Sequence, residues 1–247
     1  MMPRWFLPIA VLAFTVSIAM FITIAFFSRP GSPSQGPPEN IPTLGGPIDP
    51  DDNRVITVRP RRDPSQSPAE PDPGLEDMRV GAFEGVDQRG EPVDQSILEG
   101  GYTIMDFFFT NCPLACPGMT AAMRRLQNEL EGTPVRFLSM SVDPDRDTPE
   151  ALLAYAENNR ADQSRWSFVN VPAETVMRIA SDELGFNLSE DRSRRFDLGD
   201  GDFMYNINHP TRLILVGPDR RVIGLYPFED REELKLLADR VRAVTGN

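Results

Sequence analysis

Two hydrophobic periods take turns along the chain beyond about residue 76. Short runs that alternate or stay apolar read as strands, and stretches with apolar residues three and four apart read as helices. Residues 82–87 and 91–93 flank an Arg89-Gly90 turn and predict a hairpin. The run YTIMDFFF over 102–109 predicts a buried strand, and 119–131 a helix closed by Gly132. Another strand is expected over 135–142, followed by a helix from about 149 to 159, with Asp147 or Thr148 as its cap and Pro149 at its first position. Residues 166–169 read as a short strand and 173–184 as a helix. Residues 211–216 and 222–226 flank a Gly217-Pro218-Asp219 turn, and 229–244 form a final helix. This order predicts an α/β domain over 76–247, a mixed sheet with helices on both faces.

The first part of the chain follows neither period. Residues 6–27 are an uncharged apolar run behind a short tail, 1–5, long enough to cross a bilayer core of roughly 30 Å. The run exceeds the apolar region of a cleaved signal, and no small-x-small site precedes Ser28, so an uncleaved anchor is expected. Residues 28–75 are rich in proline and short of apolar periodicity, which predicts a disordered tether. The short tail favours an amino terminus inside and the domain outside, that is, a single-pass protein of the inner (cytoplasmic) membrane with its soluble domain facing the periplasm.

Charge removes several function classes. With 25 basic against 37 acidic residues the formal net charge is −12, and no basic run offers a phosphate-binding surface, so nucleic acid is not an expected partner. No phosphate loop, serine elbow or HExxH motif is present, which leaves hydrolases and nucleotide enzymes without a site.

The chemistry that remains is concentrated in two cysteines and one histidine. Cys112 and Cys116, in TNCPLACPGM, fall where a strand gives way to a helix, a place that stabilises thiolate. Four-residue spacing puts both sulfurs on one helical face, from which they can form a disulfide or hold a soft metal ion. His209, the only histidine, precedes the strand at 211, and a loop entering one strand can face the loop leaving its neighbour. The residues alone leave two uses open: copper held by Cys112, Cys116 and His209, or thiol exchange in which Cys112 attacks and Cys116 resolves.

In order and spacing, DFFFTNCPLACPGMTAAMRRLQ, FLSMSVDPDRDTPEALLAYA and NHPTRLILVGPDRRVIGLY resemble the Sco/SenC family over about 78–245. The resemblance implies a thioredoxin-like fold and matches Cys112, Cys116 and His209 to the family's copper ligands, for Cu(I) or Cu(II). It implies a membrane-anchored copper chaperone whose partner is cytochrome c oxidase subunit II, or another copper or thiol acceptor. Members deliver copper to that subunit's binuclear site or keep its cysteines reduced, and some are assigned thiol-disulfide roles. The chain departs from the family where Asn111 replaces a histidine and where Leu114 and Asn208 replace aspartates. Losing those carboxylates weakens orientation and charge balance around copper. Pro210 raises the prospect of a cis bond after His209, as thioredoxin-like redox proteins have beside their cysteines.

Three other features read as structural. Asp143, Asp145 and Asp147 imitate a calcium loop, but Thr148 and Ala154 stand where glycine and glutamate are needed, so a turn and helix cap is expected. Met119 and Met123 are expected in the core. Residues 189–202, with Asp197, Asp200 and Asp202, read as a flexible acidic insertion forming a lid near His209.

Overall fold

The computed structural model describes residues 65–199 and 201–246. The anchor expected at 6–27 and most of the tether lie outside the described residues, and among those described no helix is long and apolar enough to cross a membrane.

The fold grows from one strand. In β3 (Thr103–Phe108) every side chain is buried. Such a strand must be covered on both faces and paired on both edges. It pairs in parallel with β4 (Arg136–Ser141) and antiparallel with β8 (Arg212–Val216). Beyond β4 the sheet continues through β5 (Trp166–Asn170), β1 (Glu84–Asp87) and β2 (Pro92–Asp94), and beyond β8 it ends at β9 (Val222–Pro227). The seven-strand order β2-β1-β5-β4-β3-β8-β9 is thus parallel at its centre and antiparallel at its flanks.

Parallel neighbours need long connections, and helices supply them. The connection from β3 to β4 is α1 (Cys116–Glu129), and that from β4 to β5 is α2 (Pro149–Asn158). Alternate β3 side chains meet opposite layers: Phe108 lies against Tyr155 of α2, and Phe107 against Phe186, which follows α3 (Ala173–Met177). The last helix, α4 (Arg231–Thr245), packs with α1. Its N-cap Asp230 accepts from Glu232 and Glu233 N–H, and Gly246 closes it at φ 76°, in the left-handed region that favours glycine.

The mixed sheet with helices on both faces is the architecture the sequence predicts, with three differences. The cysteine helix begins at Cys116, three positions before its expected start, because Pro117 fits a first helical turn. The helix expected over 173–184 is regular only to Met177 and continues to Glu183 as a wider π-helix. The supposed flexible lid is instead a ribbon of two antiparallel strands, β6 (Ser189–Gly199) and β7 (Asp202–Asn208), separate from the main sheet. Gly199 and Gly201, at φ 91° and 82°, make its turn, and Arg195 stacks 3.9 Å from the centre of the Phe203 ring.

Packing already includes residues 66–75, which the sequence assigns to the tether. Buried Arg240 of α4 donates to Asp72 Oδ1 at 2.7 Å, to the carbonyls of Pro68 at 2.9 Å and Glu70 at 2.6 Å, and to Tyr226 Oη at 3.1 Å. Asp72 N–H adds a bond to the Ile223 carbonyl of β9 at 3.1 Å. One guanidinium thus seats the incoming chain on the β9 side of the sheet.

Candidate metal centre

The site forms where β3 ends and β8 begins, which antiparallel pairing makes neighbours. Leaving β3, the chain turns at once, with Cys112 N–H on the Phe109 carbonyl at 3.2 Å, and reaches Cys116 as the first residue of α1. Cys112 therefore rides on the loop before the helix, and the two sulfurs do not share a helical face as the spacing predicts. Both cysteines are free and buried. Leu114 between them is 49% exposed.

His209 follows β7 directly and is also buried. Its Nδ1 lies 3.1 Å from the Pro210 carbonyl, an acceptor only, so Nδ1 carries the proton in the neutral ring and Nε2 keeps a lone pair. That Nε2 is 3.4 Å from Cys116 Sγ. Phe109 meets the imidazole edge to face at 5.6 Å and fixes its plane. The peptide bond between His209 and Pro210 is trans, since no described bond is cis, so the cis bond that Pro210 raises as a prospect is not present.

Cys112 Sγ, Cys116 Sγ and a His209 ring nitrogen all lie within 4.8 Å of one another. Three donors so spaced suit one ion at roughly 2.0–2.3 Å from each. Two thiolates and an imidazole are the donor set of a soft ion such as Cu(I). The sulfurs are unequal. The Cys116 thiol donates to Cys112 and lowers its value to about 4 against the effect of burial. Burial, then the hydrogen bond and charge of Cys112, push Cys116 up. The reduced pair therefore holds one proton, on Cys116.

Of the positions that depart from the family pattern, Asn111 and Leu114 are exposed, and Asn208 donates to Ser189 Oγ at 3.4 Å at the base of the ribbon. Met119 and Met123 are fully buried, as expected. Two carboxylates near the site escaped the sequence reading. Asp147 does not cap α2, because Thr148 Oγ1 takes the Ala151 N–H at 3.4 Å; it bonds instead to the cysteine loop. Asp106 of β3 was legible only as the one charge in an apolar run.

Asp106 is buried on the same face of β3 as Phe108, and neither of its carboxylate oxygens receives a hydrogen bond of normal geometry. Burial raises it to about 6, with Ser139 and His209 only partly offsetting this. The folded chain thus binds this proton more tightly than the unfolded chain does. Stability is greatest while both states are protonated and falls as pH rises from about 4 to 6, by about 3 kcal/mol at most. Asp106→Asn is expected to stabilise the chain by about 1–3 kcal/mol at pH 7.5 and to give no gain at pH 4. Urea unfolding at the two pH values checks this; equal changes at both would contradict it.

The family model described as SCO1/SenC matches residues 72–245. The SCO1 protein homolog of Bacillus subtilis (strain 168) is 31% identical over 159 residues, 61% of this chain and 78% of its own. A Stutzerimonas stutzeri protein, named as a candidate copper-binding protein, is 32% identical over 144 residues, 56% of this chain and 64% of its own. Among solved structures, BsSco is described as having a disulfide switch and as a member of the Sco family of cytochrome c oxidase assembly proteins. It matches with a TM-score of 0.56 at 28% identity, over 69% of this chain and 95% of that one.

Proposed function

The chain belongs to the SCO1/SenC family and has its thioredoxin-like fold, and from that premise we propose that it is a membrane-anchored copper chaperone. Residues 6–27 hold it in the inner membrane and the domain faces the periplasm. There it delivers copper to the binuclear site of cytochrome c oxidase subunit II, or keeps that site's cysteines reduced.

The observation that carries this reading is the cluster of Cys112, Cys116 and His209. Copper is cargo. As Cu(I) enters, the Cys116 thiol gives its proton to water, so two thiolates and one cuprous ion leave the site with the single negative charge it began with. Transfer is stepwise exchange of these donors for the acceptor's cysteines, with no change in oxidation state. Oxidation of the pair by a partner disulfide removes both thiolates and with them the site.

That chemistry also supports a second reading, thiol-disulfide exchange, favoured by the lowered Cys112. Its thiolate attacks a partner disulfide, one partner sulfur leaves as thiolate, and Cys116 displaces the other as the internal disulfide closes. The full chain, loaded with Cu(I), desalted and assayed for metal, is expected to keep about one copper per reduced chain and almost none when oxidised. A reduced chain without copper would overturn the chaperone reading and leave exchange.

A further inference from the structure

The segment SVDPDRDTP, read from sequence as a turn and cap, ends against the cysteine loop. Cys116 is fixed by the helix it starts, and the His209 ring by Pro210 and Phe109. Cys112 rides on irregular backbone, where Pro113 removes one N–H that could have tied it down.

The geometry points to Asp147 as a positioning residue that holds the Cys112 loop in the shape that accepts copper; this rests on the copper reading above. The Asp147 side chain is buried, and its Oδ1 accepts Thr110 Oγ1 at 2.5 Å. Thr110 N–H reaches both carboxylate oxygens at 3.2 Å. Oδ2 accepts Ser141 Oγ, at the end of β4, at 2.5 Å. Thr110 is two positions before Cys112, so these bonds set the direction in which the loop leaves β3.

Asp147 is itself held by backbone and side-chain bonds. Its N–H reaches the Asp143 carbonyl at 2.9 Å, and its own carbonyl accepts Asn170 Nδ2 at 2.8 Å. Ser141 Oγ also accepts Asp143 N–H at 3.0 Å. The carboxylate therefore links the end of β4 to the loop that carries the first sulfur, and the backbone carbonyl of the same residue ties it to Asn170 at the end of β5. Bonds to an ionised acceptor are the shorter and stronger kind, and a buried one has no water to replace it. The carboxylate is bonded to Thr110 and Ser141 and not to either sulfur; it acts through Thr110.

A packing role for Thr110 and a positioning role predict opposite orders for two variants. Thr110→Val keeps the shape and removes the hydroxyl; Thr110→Ser keeps the hydroxyl and removes a methyl. In the full chain, Thr110→Val and Asp147→Asn are each expected to weaken Cu(I) binding about 10–100-fold, measured by competition with bathocuproine disulfonate. Thr110→Ser is expected to bind at least tenfold more tightly than Thr110→Val. The double variant Thr110→Val/Asp147→Asn is expected to be no weaker than the weaker single one, since both break one connection. Alkylation of Cys112 by iodoacetamide in the reduced, copper-free chain should change with Thr110→Val and not with Thr110→Ser, a readout that stands even if the wild type takes no copper. Wild-type affinity and alkylation in Thr110→Val, or the reverse order of the two threonine variants, would overturn the proposal.

Discussion

Cys112→Ser and Cys116→Ser are each expected to abolish copper retention through desalting, while His209→Ala is expected to weaken it and leave a measurable fraction of Cu(I) bound. The expected loss for either cysteine exceeds the roughly 10–100-fold that contacts outside the ligand set are worth. The asymmetry follows from the donors. A cuprous ion can rest between two thiolates, so the site without its imidazole is poorer but not empty, whereas one thiolate and one imidazole make a weak site. For Cu(II), which leans more on nitrogen, His209→Ala should cost more than it does for Cu(I). Metal analysis of the three variants, loaded in each oxidation state, checks the order. Full retention in either cysteine variant would disprove the assignment.

Arg240→Leu gives the largest expected loss of stability, about 3–5 kcal/mol, because it deprives buried Asp72 of its guanidinium and leaves the carbonyls of Pro68 and Glu70 without that donor. Domains are commonly stable by only about 5–15 kcal/mol, so much of the folded population is at risk. The site lies elsewhere, at the junction of β3 and β8, and copper stoichiometry of the remaining folded chain should not change. Unfolding by guanidinium chloride measures the loss; a change below about 1 kcal/mol would mean that the ion pair does not seat the entering chain.

The parts of the fold visible in the sequence are those whose period is undiluted. YTIMDFFF is apolar but for Asp106 because β3 is buried on both faces, and the strands at 135–142 and 211–216 stand out for the same reason. The ribbon was not visible. Of its apolar residues only Met204 is buried; Phe196, Leu198, Phe203, Tyr205 and Ile207 are partly buried, and aspartate, arginine and glycine break the run up. That composition reads as loop until cross-strand contacts are known.

The three candidate ligands could be named from spacing and resemblance, but their supports could not. Asp147 and Thr148 are adjacent cap formers, and only the fold reveals that the threonine caps while the aspartate turns to Thr110. Asp106 had a signal, a lone charge in a buried run, but no local pattern says that such a charge interacts with Cys116 and His209. The order of the two thiols, Cys112 attacking and Cys116 resolving, is expected from the sequence, and the fold adds its cause, the hydrogen bond between them and the deeper burial of Cys116.

Cys116 and His209 stand 93 positions apart and meet only because β3 and β8 pair. An ion shared between them closes a long ring in the polymer, one that an unfolded chain must open to regain its freedom. Loading therefore tightens the fold that creates the site, since the ion binds the native arrangement and not the separated segments. A chain built this way gives up part of its own rigidity each time the ion leaves.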